Sequence, residues 1–184
     1  MFTREQAYSE LMKHVQNKNL IKHMLSVEAV MRGLAEHLSE DVEMWGLTGL
    51  LHDIDYDETK DNPELHSMKA AELLSDMGYP EDMVNAVKVH NYYHGIPRVS
   101  ILDKALYAAD PVSGLVVAGA LVRPDKKLAS VDGDYLLKKF GEKAFARGAD
   151  RDQIRTCSEI GLELEDFLRI ALKSMQEIAD EIEL

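Results

Sequence analysis

The stretch GLLHDIDYDETKDNPELH, Gly49 to His66, decides how this chain is read. An apolar run ends there on a His-Asp pair, His52 and Asp53, and another histidine, His66, follows beyond an acidic loop. Neighbouring residues in mid-helix point about 100° apart, so a His-Asp pair converges on one point only where a helix gives way to a turn. Leu47, Leu50, Leu51 and Ile54 have helical spacing and stop at Asp55, which places the pair at such an end. A carboxylate on an inward face needs a cation, hydrogen bonds or water, because burying it unpaired costs several kcal/mol. The stretch therefore asks where further ligands would come from.

Working outward, the same residue types recur in other apolar stripes. His23 opens a face continued by Val27, Val30, Met31, Leu34 and Leu38. Met83, Val87 and His90 share a face behind Pro80, which can open a helix at its first turn. Leu102, Leu106, Ala109 and Asp110 line a stripe behind Ser100 and Asp103, which resemble a capping box with Asp in the usual Glu place. The spacing also predicts a helix over Ser67 to Met77, stopped by Gly78. Asp150 and Gln153 repeat the capping signal before Ile154, and Leu164, Leu168, Ala171, Met175, Ile178 and Ile182 mark one side of a last helix. Neither β-alternation nor an internal repeat interrupts this pattern. The expectation is an all-α fold, one domain over residues 1–184 with a core at 20–121 and a helical extension at 122–184.

Composition narrows the function classes. With 46% hydrophobic and 29% charged residues, the 184-residue chain has the make-up of a globular protein with a real core. Its one cysteine, Cys157, has no internal disulfide partner, and MFTREQAYSE lacks the apolar core of a signal peptide, which together lead to a cytoplasmic expectation. The twelve uncharged residues between Asp110 and Arg123 are too few to cross a bilayer and read as a buried core helix. A net charge of −12 argues against a long nucleic acid, whose phosphates need clustered Lys and Arg. Arg123 to Arg155 is nevertheless locally basic, nine Lys and Arg against six Asp and Glu, and there Arg123 and Lys139 are the residues expected to close over a substrate phosphate. His94, four residues after His90, is a further candidate substrate contact.

His23, His52-Asp53 and Asp110, in that order, resemble the ligand order of the HD superfamily of metal-dependent phosphohydrolases, over roughly Leu20 to Leu121. NPELH and VHNYYHG place His66 and His90 where one branch of the superfamily keeps two further histidines. VSILDKALYAAD leads into Asp110 much as in HD-type diadenosine tetraphosphate hydrolases, and the chain is also similar to short proteins classed as predicted HD hydrolases. Asp55 stands where the HDIG form has glycine, and Gly78-Tyr79-Pro80 precedes His90 instead of following a corresponding histidine as in the HD-GYP branch.

The resemblance implies a centre of one or two divalent ions, with Mn, Fe, Co, Ni or Zn suiting mixed nitrogen and oxygen ligands better than Mg. His23, His52, Asp53 and Asp110 would hold the first ion, and Asp53 would bridge to a second at His66 and His90. His52 and Asp53 would be central to catalysis, in which a metal-activated hydroxide attacks a phosphate ester or anhydride of a small molecule or nucleotide. Asp55 and Asp57 could order waters or orient ligands. Two other readings share the pattern: a di-iron oxygenase resembling myo-inositol oxygenase, and a non-catalytic module in which metal pins a ligand-binding fold. No membrane partner is expected, and the stripe from Leu164 to Ile182 leaves an oligomer open.

Overall fold

The computed structural model describes residues 2–184. Its helices are α1 (Arg4–His14), α2 (Lys18–Leu38), α3 (Val42–Leu51), α4 (Tyr56–Thr59), α5 (Met68–Asp76), α6 (Glu81–Val89), α7 (Ile101–Leu121), α8 (Gly133–Phe140), α9 (Arg151–Arg155), α10 (Leu164–Glu177) and α11 (Ala179–Ile182). Short 3-10 turns lie at Tyr92–His94, Leu128–Ser130 and Thr156–Ile160, and there is no strand among the described residues. The chain is all-α.

The starts of the helices are written in their capping residues. Asn17 accepts from the amides of Asn19 and Leu20, and Asp41 from that of Met44. Thr3 with Gln6, and Ser100 with Asp103, form complete capping boxes. Pro80 sits one place earlier than expected: it is the cap of α6, and the helix begins at Glu81.

Helix α2 is the spine, packed on α3, α7 and α10, with Val27, Val30, Met31 and Leu34 fully buried. Gly49 lets α3 lie close against it, since a Cβ there would stand 2.8 Å from the Val27 carbonyl oxygen. A buried carboxylate, Glu28, ties α1 to α2 by accepting from Arg4 Nε at 2.7 Å and Arg32 Nε at 3.0 Å. Such a pair fixes the angle between helices more than it adds net stability.

Helix α7 runs through the core with Pro111 in its interior. Proline cannot donate to the carbonyl four residues back, which here belongs to Tyr107. The Gln153 side chain donates to that oxygen instead, at 2.8 Å. Gln153 thus departs from the expected capping role: Asp150 caps α9 through the amides of Asp152 and Gln153, while the Gln153 amide group supports α7. Residues 111–122 are buried on one face only, for Leu121 and Val122 are half exposed. The expected last helix is also broken, with Ile178 leaving helical geometry at φ −111° and ψ 16°. The bend still leaves Ile182 buried, so the apolar stripe is served by two helices in place of one.

Candidate metal centre

Each chemically interesting side chain comes from a helix end, a helix face or, for His66, a loop, and all are aimed at one point. His23 comes from α2, His52 and Asp53 from the turn that ends α3, His66 from the loop before α5, His90 from the end of α6, and Asp110 from α7. His52, Asp53 and His90 are buried. The His23 and Asp110 side chains keep 26% and 29% exposure, which puts the opening of the cluster on the α2–α7 side.

The two oxygens of Asp53 face different partners. Oδ2 lies 3.5 Å from His52 Nε2 and 3.8 Å from His23 Nε2, whereas Oδ1 lies 3.4 Å from His66 Nε2 and 3.3 Å from His90 Nε2. Asp110 Oδ1 joins the first group, 3.2 Å from His23 Nε2 and 3.9 Å from His52 Nε2. The six residues singled out from the sequence are therefore brought together, and they divide around the two sides of one carboxylate.

The other ring nitrogens explain why every Nε2 points inward. Nδ1 of His52 faces the Gly49 carbonyl at 2.8 Å, and Nδ1 of His90 the Val87 carbonyl at 2.6 Å. Both are the carbonyls three residues back, available because the helix ends there. His66 Nδ1 lies 3.0 Å from Asp55 Oδ1, and His23 Nδ1 lies 3.0 Å from Ser113 Oγ, whose own proton goes to the Asp110 carbonyl at 2.8 Å. An acceptor at Nδ1 fixes the proton there and leaves the Nε2 lone pair free, the tautomer a metal ligand needs. His52 Nε2 is buried without a hydrogen-bond partner. A closed polar atom with no partner, in a ring of oxygen and nitrogen donors, fits a divalent cation. The two groupings His23–His52–Asp110 and His52–Asp53–His90 each bring ligand atoms within 4.8 Å of one another and could hold such an ion.

Electrostatics points the same way. Burial opposes ionisation of Asp53, but His52, His90 and His23 around it hold the carboxyl far below the usual carboxylate range. Burial likewise opposes charge on His90, yet its contact with Asp53 lifts the imidazole to about 9. On His23 the penalty of burial is outweighed by Asp110, and the pKa rises. Burial dominates at His52 and lowers its pKa.

Asp55 and Ser67 shape the second side of the cluster. Besides facing His66, Asp55 accepts from the amides of Ser67 and Ala70 at 2.8 and 3.2 Å, so one buried carboxylate both orients a ring and caps α5. Ser67 is held at φ 69°, a left-handed conformation unusual outside glycine, with its hydroxyl on the Lys88 carbonyl. Strain of this kind survives where the surroundings fix it, beside functional groups in particular.

Four candidates fall elsewhere. Asp57 accepts from the amides of Gln16 and Asn17 and joins α4 to the α1–α2 turn. His94 turns its Nε2 to the His66 carbonyl at 2.8 Å, bracing the loop in place of reaching into the opening. Arg123 and Lys139 gather over the Tyr135 ring, and Lys139 is paired with Glu142 at 2.7 Å. The rise of α7 from Asp110 to Leu121 is alone about 17 Å, which carries Arg123 well away from the cluster. Arg151 spends its guanidinium on the carbonyls of Phe140, Phe145, Ala146 and Ala149 and so organises the loop between α8 and α9.

Ser113 and Gln153 gave no warning as site neighbours. A serine one turn beyond Asp110 on α7 was the available signal for the first, and a proline directly after Asp110 for the second. No helix among the described residues is long and apolar enough to cross a membrane.

Comparison with known proteins agrees with this geometry. The chain is similar to ribonuclease Y of Desulfotalea psychrophila (strain LSv54 / DSM 12343), 32% identical over 97 residues that make up 53% of this chain and 18% of that protein. No solved structure matches the chain at a significant level. The HD domain family model matches residues 20–115, the span that carries all six clustered residues, and the chain belongs to the HD domain family.

Proposed function

We propose that the protein is a metal-dependent phosphohydrolase that cleaves a phosphate ester or anhydride of a small molecule or nucleotide. The observation that carries this reading is the division of Asp53, with Oδ2 toward His23 and His52 and Oδ1 toward His66 and His90. His23, His52, Asp53 and Asp110 would hold one divalent ion; His66, His90 and the other oxygen of Asp53 would hold a second. When bound, such ions supply water activation near neutral pH and neutralise charge on phosphate oxygens.

The residues of the chain do the rest. Acceptors at all four Nδ1 atoms turn the Nε2 atoms inward, so the rings need no reorientation, and His90 has only to give up its Nε2 proton. With three protein residues, Asp53, His66 and His90, the second side would leave positions open for water and substrate, as catalytic sites do and closed structural sites do not. Burial of His52, Asp53 and His90 keeps water from screening these charges, while the exposed edge at His23 and Asp110 admits the phosphate. None of the serines or the buried Cys157 is needed as a nucleophile.

Ribonuclease Y is by its name a nuclease, but the net charge of −12 favours a small phosphorylated substrate over a long RNA here. The test is metal analysis of untagged protein followed by a screen of nucleotides, phosphate esters and an oligoribonucleotide. Release of phosphate or nucleotide, lost in His52→Ala and Asp53→Ala, is the expected result. Activity that survives both substitutions refutes the reading, and iron content with O₂ uptake in place of hydrolysis turns it to the oxygenase alternative.

A further inference from the structure

We infer that Arg98 anchors a second phosphate group, so that the substrate is an organic di- or polyphosphate in which one phosphate sits on the His/Asp cluster and the next on the Arg98 guanidinium. This rests on the phosphohydrolase reading and narrows its substrate class.

An anionic substrate approaching a chain of net charge −12 needs a local cation beyond any metal. Most arginines are already committed. Arg4, Arg32, Arg155 and Arg169 are ion-paired, and Arg151 is consumed by backbone carbonyls. Arg98 has no carboxylate within ion-pairing distance among the described residues. Its guanidinium carbon lies 3.6 Å from the centre of the Tyr107 ring, a close stack.

Position gives this stack its meaning. Tyr107 and Asp110 stand three residues apart on α7, neighbours on one face with about 5–6 Å between their Cβ atoms. The tyrosine on which Arg98 stacks thus shares a face of α7 with Asp110, at the exposed edge of the cluster. The Nε of Arg98 is buried without a partner, and its terminal nitrogens make no hydrogen bond among the described residues. The fork is flat, fixed and free, the arrangement that suits bidentate contact with phosphate oxygens. The loop beneath is equally fixed, because the amides of Val99 and Ser100 both donate to Asp103 Oδ2 at 2.9 and 3.0 Å. Arg123 stacks on Tyr135 in the same manner but lies beyond the far end of α7, which leaves Arg98 as the stacked arginine beside the site.

The test is calorimetric titration of the Mn-loaded protein with AMP and with α,β-methylene-ADP, which resists cleavage between its phosphates. The wild type should bind the diphosphate analogue at least about tenfold more tightly than AMP. Arg98→Gln should weaken the diphosphate by about 10- to 100-fold and leave AMP unchanged, the scale of charge-assisted hydrogen bonds lost from one guanidinium. Arg98→Lys, which keeps the charge but not the fork, should fall between the two. Equal affinity of the wild type for both nucleotides, or an equal loss for both in the variants, overturns the role of Arg98 while metal-dependent AMP binding leaves the phosphohydrolase reading in place. Absence of any phosphate binding by the Mn-loaded wild type removes both. Should Arg98→Gln fail to fold, Arg98→Lys decides alone.

Discussion

Ser113→Ala isolates the smallest part of the proposed centre that still has a measurable effect. Ser113 Oγ accepts a hydrogen bond from His23 Nδ1 at 3.0 Å and donates one to the Asp110 carbonyl at 2.8 Å, so one buried hydroxyl links residues from α2 and α7. Removing an oxygen leaves the helix intact, since alanine is the better helix former and fits in the space. The loss is one hydrogen bond to the ring, about 1 kcal/mol, together with the preference for the Nδ1–H tautomer. Groups that orient metal-bound histidines typically govern affinity by about 10- to 100-fold, or about 1.4–2.8 kcal/mol. The effect should be one-sided, because the hydroxyl of Ser113 bonds only to His23 and the Asp110 carbonyl, both on the first side of Asp53. His66 and His90 are fixed by Asp55 and the Val87 carbonyl and are untouched. Stepwise Mn titration against a competing chelator should therefore show one affinity falling within that range and the other unchanged, with the melting temperature of the metal-free protein shifted by only a few degrees. Equal weakening of both steps, or of neither, refutes the assignment of two sides to Asp53.

The remaining expectations concern the support of the cluster and its protons. Gln153→Ala leaves the Tyr107 carbonyl, freed by Pro111, without its 2.8 Å donor, and should lower stability in denaturant titration by about 1 kcal/mol. Gln153→Glu cannot donate when ionised and should not restore it, so full stability in either variant removes the proposed support of α7. His90 must lose a proton to become a ligand, and in the metal-free protein burial opposes its charge while Asp53 holds its pKa at about 9. Metal affinity should consequently rise about tenfold per pH unit from pH 7 and level off near 9, with proton release seen by calorimetry in two buffers. The sign is opposite for stability without metal. A histidine with a raised pKa stabilises the fold fully below its ordinary value of about 6.5, and that contribution disappears as pH climbs through about 9. A metal affinity that is flat from pH 7 to 9 contradicts the pairing of His90 with Asp53.

The difference between what the sequence discloses and what it hides follows from chain distance. Helix α2 with its stripe of Val27, Val30, Met31 and Leu34, the box at Ser100 and Asp103, and the stop at Gly78 all depend on residues within one or two turns of each other. Local periodicity suffices there. Five of the clustered residues, His23, His52, Asp53, His90 and Asp110, are legible for a related reason: they lie on apolar stripes, where a buried carboxylate needs a cation, hydrogen bonds or water, while His66, in a loop, is legible only through the family resemblance. What supports them is less visible. Ser113 and Gln153 are polar residues of ordinary appearance, and their roles arise from contacts 90 and 46 positions away in the chain. Basic residues pose the converse difficulty: they look alike in a sequence, and only packing separates Lys139, paired to Glu142, from Arg98, stacked on Tyr107 with no ion pair among the described residues. Charge alone does not make that separation. Whether the neighbours of a guanidinium leave it anything to bind is a property of the folded surface that composition cannot carry.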